Sequence, residues 1–184
     1  DRWGAPAPGP WPAQPGSCSC GGYFRSHISR KAGGTGTLSH KSLAWQSHVQ
    51  ATDDAAEVAP SQNIRELTTD VPTPLFYEGK FYILNGRKRK LYCVNPADGA
   101  VVWSGDLGSK SDYQCSPTAA DGKIYVMNFN ADVSVIQAGG SEYKLLHTAN
   151  FKDDGDATRH RSSVAISQGN LFLRTGTKLF ALGK

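Results

Sequence analysis

The sequence has no long apolar run and almost no methionine. No stretch approaches the roughly 18 apolar residues of a membrane-spanning helix, so we expect a chain that does not span a membrane. Twenty glycines and ten prolines accompany the single methionine, a composition typical of a turn-rich β protein rather than a helical one. Residues 1–20 also lack the apolar segment of a secretory signal. We therefore expect the signal of an exported protein to lie outside this chain.

Cysteine content and net charge give little support to two common kinds of site. The four cysteines are Cys18, Cys20, Cys93 and Cys115, and a C-x-C pair without a matching second pair is not a metal-binding pattern. The number of cysteines does not decide whether the protein is located in an oxidising or a reducing compartment. The net charge of +4 is too small to indicate nucleic-acid binding, which requires basic residues clustered on one face. The sequence therefore predicts neither a metal site nor a nucleic-acid partner.

The chain divides into three parts of different composition. Residues 1–40 are rich in Pro and then in Gly, Ser and Thr, with no period of 2 or 3.6, and such a segment buries too little apolar surface to offset its ordering entropy. We predict that it is disordered or irregular. Residues 41–70 are predicted to contain an isolated strand and a linker. From residue 71 to 184, alternating apolar residues and regular turn signals predict a β domain.

A glycine-centred segment occurs three times in the third part. Gly79, Gly122 and Gly169 are 43 and 47 residues apart, and each has a small hydroxyl residue six positions earlier and an aromatic residue three positions later. Repeats of 40–50 residues with short strands are typical of β-propeller blades. The sequence therefore predicts an all-β fold, a partial β-propeller of about two and a half four-stranded antiparallel blades. The blades are expected at residues 71–108, 109–152 and 153–184.

The strand count per unit predicts an incomplete ring. The first two units contain a fourth strand, at Ala100–Ser104 and Tyr143–His147, whereas the third stops after three strands. We therefore expect the C-terminal fragment of a larger propeller. The segment Ser42–Val49, with Trp45 placed like Trp103, is a candidate for the missing outer strand of the last blade or for the outer strand of a preceding blade. The second alternative is favoured.

The segment CVNPADGAVVW, residues 93–103, is predicted to be the third turn of the first blade. Asp98 and Gly99 are expected to supply the positive φ angles of a tight hairpin turn. Trp103 then lies on the outermost strand, where a large ring covers the seam to the next blade.

The pattern S/T-P-x-x-x-x-G-K-x-Y, followed by L-Y-C-V-N-P-A-D-G-x-V-V-W, resembles the PQQ-like repeat of the quinoprotein dehydrogenase-like β-propellers. The resemblance covers about residues 70–184. It is carried in the first unit by Pro74, Gly79, Tyr82, Leu91, Asp98, Gly99 and Trp103, and in the second by Pro117, Asp121, Gly122 and Tyr125. Such propellers include the periplasmic lipoprotein of the outer-membrane β-barrel assembly machinery, quinone-dependent alcohol dehydrogenases and uncharacterised bacterial envelope proteins. The resemblance implies a periplasmic or cell-envelope location.

The resemblance favours a non-catalytic protein. The quinone-dependent dehydrogenases use a disulfide between adjacent cysteines, a calcium ion and a catalytic aspartate, whereas this sequence has no adjacent cysteines and no carboxylate assignable to the catalytic position. A shared repeat does not by itself imply the cofactor, so we expect neither PQQ nor calcium. The run Asp153–Asp156 resembles part of a calcium loop but lacks the later ligand of an EF-hand.

The irregular face of the propeller is the candidate binding face. In up-and-down blades the second turns and the inter-blade links emerge on one face, and binding residues favour loops held by a rigid scaffold. A basic segment in one of these turns is interpreted first as a solvated hairpin, with a patch for an anionic partner as the alternative. The candidate residues are Arg87, Lys88, Arg89, Lys90, Tyr113, Gln114, Arg159, His160 and Arg161.

These observations predict a non-catalytic binding or scaffold module of a bacterial cell-envelope protein. The expected partner is a protein or an anionic envelope component. Missing propeller blades or a second copy are expected as well, because an incomplete ring leaves two blade faces uncovered. Two alternatives stay open: part of a PQQ-dependent oxidoreductase whose catalytic half is missing, and a sensor domain attached to a kinase or a membrane anchor.

Overall fold

The computed structural model describes residues 17–20, 28–31, 43–47 and 66–183. Within these residues the secondary structure is β-strand without helix, and no segment is a helix that could cross a membrane. The strands are β1 (Ser17–Cys20), β2 (Ile28–Lys31), β3 (Leu43–Gln46), β4 (Leu75–Tyr77), β5 (Lys80–Asn85), β6 (Lys90–Val94), β7 (Val101–Asp106), β8 (Thr118–Ala120), β9 (Lys123–Met127), β10 (Asp132–Gln137), β11 (Leu145–Asn150), β12 (Ala165–Ser167), β13 (Asn170–Arg174) and β14 (Leu179–Leu182).

The described strands form four antiparallel sheets in chain order. We call them the first sheet (β1–β3), the second sheet (β4–β7), the third sheet (β8–β11) and the fourth sheet (β12–β14). Within each sheet every strand pairs with its neighbour in sequence. The strands β4, β8 and β12, each the first of its sheet, lie next to one another. The last three sheets are therefore arranged as blades around a common axis, and the predicted partial β-propeller is confirmed.

The glycine repeat is a repeat of one turn geometry. In each of the last three sheets the first two strands are joined by a two-residue turn in which both residues have positive φ, as a type I′ turn requires. The φ values are 47° and 73° at Glu78 and Gly79, 51° and 67° at Asp121 and Gly122, and 49° and 74° at Gln168 and Gly169. The glycine supplies the left-handed conformation without steric cost.

The hydroxyl residue of the repeat connects neighbouring sheets. The Ser116 hydroxyl oxygen accepts a hydrogen bond from the Thr73 amide at 2.9 Å. The Ser163 hydroxyl oxygen accepts one from the Ser116 amide, also at 2.9 Å. Each of these residues stands just before the first strand of its sheet, so the hydroxyl satisfies a backbone donor of the preceding sheet.

Tryptophan side chains join the outer parts of the sheets. The indole N–H of Trp45 on β3 donates to the Pro96 carbonyl at 2.8 Å, and that of Trp103 on β7 donates to the Gly139 carbonyl at 3.0 Å. Both rings are buried. The Tyr82 hydroxyl oxygen accepts a hydrogen bond from the Gly139 amide at 2.7 Å. The amide and the carbonyl of Gly139 are therefore both hydrogen-bonded to side chains of the second sheet. The predicted position of Trp103 at a seam is confirmed.

The start of the chain differs from the prediction. Residues 1–40 were expected to be irregular; Ser17–Cys20 and Ile28–Lys31 form β1 and β2, and the rest of this segment lies outside the described residues. The strand β3 is not isolated either, because it pairs with β2. It is the last strand of a sheet that precedes the second sheet, which was the favoured alternative for the segment Ser42–Val49. Strands of four residues are too short for alternation to be recognised, and their pairing depends on residues distant in sequence.

The turn at residues 93–103 also differs from the prediction. Gly99 has a φ of 73°, but Asp98 does not share the positive φ of a two-residue hairpin. Instead the Gly99 amide donates to the Asn95 carbonyl at 2.9 Å, and the Asp98 carboxylate accepts the Ala100 amide at 3.0 Å. The side chain thus satisfies the backbone and produces a longer turn. In the next sheet the fourth strand is Leu145–Asn150, shifted from the predicted Tyr143–His147.

The spaces between the sheets contain two buried apolar clusters. One cluster includes Tyr82, Trp103 and Ile136 and extends to Leu173 of the fourth sheet. Cys93 and Cys115 are free, buried members of this cluster. Burial raises the pKa of the Cys93 thiol to about 11 and that of the Cys115 thiol to about 12. Both are therefore inert core thiols at neutral pH.

We predict that Trp103→Phe lowers the free energy of unfolding by about 1–2 kcal/mol, because the Gly139 carbonyl loses its donor. Urea unfolding measures the change. Phe76→Leu is the control, since the Phe76 ring is 52% exposed and its replacement is expected to change stability by less than about 0.5 kcal/mol. Equal effects of the two substitutions would contradict the role of the indole N–H.

We predict that Cys93 and Cys115 react with iodoacetamide only after unfolding, as peptide mass spectrometry would show. Ionisation of the unfolded thiols begins near their ordinary pKa of 9.0, while the folded thiols stay protonated. The free energy of unfolding therefore falls as pH rises above 9, by up to about 1.4 kcal/mol per pH unit for each thiol. Cys115→Ala should reduce this slope, and an unchanged slope would contradict the assignment.

Candidate functional site

Turns and links of successive sheets are hydrogen-bonded to one another along one face. The Tyr113 amide donates to the Gly86 carbonyl at 3.1 Å, the Phe129 amide to the Asp112 carbonyl at 3.0 Å, and the His160 amide to the Phe129 carbonyl at 3.1 Å. The second turns of the second and third sheets therefore alternate with the links that follow these sheets. We call this surface the turn face. The turn face is the face that the sequence analysis predicts to be the binding face.

Glycine is required where a turn meets a link. A Cβ atom on Gly86 would lie 1.9 Å from the Tyr113 carbonyl oxygen, well inside contact distance. A side chain at this position would push the link away from the turn. The close approach fixes the position of the first link and of the residues beside it.

A cleft of about 290 Å³, the first cleft, opens on the turn face. Its lining comprises Asp70, Arg87, Asp112, Tyr113, Gln114, Phe129, Arg159 and Arg161. The structure thus brings five of the nine predicted residues together, namely Arg87, Tyr113, Gln114, Arg159 and Arg161. Their binding role stays a prediction.

Two of the predicted arginines are paired with carboxylates. Arg87 Nε lies 2.9 Å from Asp70 Oδ2, and Arg89 Nη1 lies 3.2 Å from Asp112 Oδ1. The Arg87 side chain is 78% exposed, so its ion pair contributes little to stability and leaves most of the guanidinium accessible.

Phe129 supports the other two arginines. The Arg159 and Arg161 guanidinium carbons lie 5.8 and 5.9 Å from the centre of its ring, a cation–π geometry. In the described part of the chain neither arginine forms an ion pair with a carboxylate. Their N–H groups are therefore available for an external acceptor.

A second cleft of about 210 Å³ adjoins the same two arginines. Its lining comprises Thr158, Arg159, His160, Arg161, Ser162, Arg174, Thr175 and Gly176. The buried His160 Nε2 lies 3.4 Å from Asp156 Oδ2. Hydrogen bonds from Thr158 hold the pKa of the Asp156 carboxyl below its usual value.

Four predicted residues make contacts that the sequence did not indicate. The Tyr113 ring is buried in the core, although the residue is part of the lining of the first cleft. His160 is buried beside Asp156. Lys90 lies on β6 with its ammonium 5.4 Å from the Tyr92 ring centre. The Lys88 amide donates to Asn85 Oδ1 within the turn. Tyr113 and His160 are buried, each three residues before the serine that precedes the next sheet, and their binding role stays a prediction.

The sequence did not identify Phe129, Asp70, Asp112 or Arg174 as part of these clefts. Phe129 had a recognisable signal, since it is a large apolar side chain inside the polar turn Asn128–Asp132. The acidic residues had none, because their partners are distant in sequence.

The acidic run Asp153–Asp156 does not converge on one point. Asp153 accepts hydrogen bonds from the Lys178 ammonium at 2.5 Å and from the Thr177 hydroxyl, and the Lys178 bond holds its pKa below the usual value. Asp156 instead faces His160. Among the described residues no group of three His, Cys, Asp or Glu side chains is placed to hold a metal ion. The expectation about cofactors stays a prediction.

Comparison with known proteins gives one family and several structural neighbours. The profile of the family described as outer membrane protein assembly factor BamB matches residues 38–183. The crystal structure of BamB from Moraxella catarrhalis aligns with a TM-score of 0.58 at 11% identity, over 91% of this chain and 42% of that chain. This chain therefore spans less than half the length of that BamB. No curated protein matches the sequence.

Two quinohemoprotein alcohol dehydrogenases align less well. The enzyme from Comamonas testosteroni has a TM-score of 0.46 at 16% identity, over 59% of this chain and 17% of that chain. ADHIIG from Pseudomonas putida HK5 has a TM-score of 0.47 at 16% identity, over 71% of this chain and 19% of that chain. The family profile covers most of this sequence, including all strands from β3 to β14. The chain belongs to the family of outer membrane protein assembly factor BamB.

Proposed function

We propose that this chain is a non-catalytic binding module of a bacterial cell-envelope protein, which takes part in outer membrane protein assembly by holding a protein partner on its turn face. Family membership and the name of the family support the process and the periplasmic or envelope location. The observation that carries the binding role is the first cleft, where exposed guanidinium groups surround a fixed aromatic ring.

The composition of the first cleft suits a protein interface. Arginine and aromatic residues are enriched among the residues that contribute most to protein–protein binding. Phe129 is half-buried and its backbone is hydrogen-bonded on both sides, to Asp112 and to His160. A rigid platform loses little conformational entropy when a partner binds, which favours affinity.

The charge of the first cleft defines the chemistry of the partner. Arg159 and Arg161 have no carboxylate partner within the described residues, and Arg87 remains largely exposed beside Asp70. Guanidinium groups form bidentate, charge-assisted hydrogen bonds with carboxylates. The partner is therefore expected to present acidic side chains to this cleft.

We predict that a chromosomal Arg87→Glu substitution in the source bacterium reduces the recovery of the cross-linked partner about tenfold. The same substitution is expected to lower the abundance of outer membrane proteins. The substitution reverses a charge on the first cleft and repels both Asp70 and an acidic partner. Quantitative mass spectrometry of the envelope fraction measures both effects.

Lys144→Glu is the matched control, because it makes the same charge change at an exposed residue outside the first cleft. Thermal unfolding of both purified variants establishes that they fold. Wild-type partner recovery and outer membrane protein abundance in Arg87→Glu would contradict the proposed function.

The oxidoreductase and sensor alternatives stay predictions. No contact within the described residues specifically favours either of them.

A further inference from the structure

The second cleft contains one arginine, Arg174, that the proposed function does not use. Three arginines line it, of which Arg159 and Arg161 also border the first cleft and Arg174 does not. We propose that the second cleft is a binding site for a phosphate group, either free or carried by a lipid headgroup. The site shares Arg159 and Arg161 with the first cleft and differs from it by Arg174.

Nearby carboxylates do not neutralise the three arginines. Asp153 is bonded to Lys178, and Asp156 is bonded to Thr158 and faces His160. Within the described residues no ion pair includes Arg159, Arg161 or Arg174. The positive charge of the cleft therefore remains available to an anion, with Asp156 as the acidic group closest to the lining.

The two arginines of the link are not required by the fold. Arg159 and Arg161 stand four and two residues before Ser163, and the same places in the preceding link are held by Asp112 and Gln114. Both links nevertheless dock on the preceding turn through equivalent backbone hydrogen bonds. The basic character of the second link is thus a property of this site rather than of the repeat.

Arg174 is a similar departure from the repeat. It stands five residues after its turn glycine, where the second and third sheets have Leu84 and Met127. Both of these residues are buried in the core, whereas Arg174 is exposed and lines the cleft. An apolar position of the repeat has been replaced by a cation in the sheet that borders this cleft.

The cleft is held in shape by contacts between the link and the fourth sheet. The Ser162 hydroxyl donates to the Arg174 carbonyl at 2.9 Å. On the other side, a Cβ atom on Gly176 would lie 2.6 Å from the Thr158 hydroxyl oxygen, so the turn and the link approach closely. The Phe129 ring positions Arg159 and Arg161. The guanidinium groups of Arg159 and Arg161 are therefore positioned before a ligand arrives, which reduces the entropic cost of binding.

Three guanidinium groups match a phosphate better than a carboxylate. A phosphomonoester or inorganic phosphate carries up to two negative charges near neutral pH and offers more than two acceptor oxygens, whereas a carboxylate carries one charge. The planar guanidinium binds such oxygens in pairs. The volume of about 210 Å³ exceeds the roughly 30 Å³ of one water molecule and admits a phosphate with part of its substituent.

Isothermal titration calorimetry of the full chain with inorganic phosphate at constant ionic strength tests the site. We expect saturable binding that Arg174→Gln weakens roughly tenfold or more, because one charge-assisted contact is lost. Arg174→Lys keeps the charge without the planar fork and should give an intermediate affinity. Arg87→Gln, which changes only the first cleft, should stay within about twofold of the wild type.

Two further arms identify the source of the phosphate. Sedimentation with phosphatidylcholine vesicles containing phosphatidic acid, compared with phosphatidylcholine alone, tests a lipid headgroup, and binding of free phosphate without vesicle binding assigns a soluble ligand. Acetate is the carboxylate control and is expected to bind much more weakly.

Phosphate affinity that is absent, equalled by acetate, or unchanged in Arg174→Gln would overturn the proposal. Arg174 lies outside the first cleft and Arg87 outside the second. Failure of this site and failure of the proposed function are therefore distinguishable.

Discussion

The contact on which the structure depends is the one between Trp103 and the Gly139 backbone. A sheet of this kind has two apolar faces and is stable only when another sheet covers each of them. The indole covers the seam, and its N–H donates to the partly buried Gly139 carbonyl. Trp45 makes the same contact one sheet earlier, with the Pro96 carbonyl. Stacking of sheets is therefore both hydrophobic and hydrogen-bonded, and its repetition produces the blade arrangement.

Both clefts exist because the sheets are stacked. The link that leaves one sheet docks on the turn of that sheet before entering the next, as the Tyr113 and His160 amides show. Residues from two or three sheets consequently meet at one opening, although they are far apart in the chain. A change that separates neighbouring sheets would also separate Arg87 from Arg159 and Arg161, so stability and binding depend on the same interface.

The repeat separates residues required by the fold from residues available for function. The turn glycines satisfy the same backbone constraint in each of the last three sheets, and the Ser116 and Ser163 hydroxyls each accept a backbone amide of the preceding sheet. Arg159, Arg161 and Arg174 occupy positions where other units carry acidic, amide or apolar residues. The fold tolerates this variation on the turn face, which is where charge and an aromatic ring converge. Departures from the repeat are therefore the most informative positions for function in this chain.

Local constraints could be predicted from the sequence, and contacts between distant residues could not. The turns at Gly79, Gly122 and Gly169 follow from backbone conformation, and the seam position of Trp103 follows from strand order, so sequence alone determined the repeat and the family of the fold. Only the tertiary structure decided that β1 and β2 pair with β3 in a further sheet, because strand pairing between short segments depends on a neighbour rather than on their own pattern. It also decided which basic residues stay available: ion pairs, burial and the Phe129 platform result from packing between sheets, and packing is not encoded in the order of residues along any single strand.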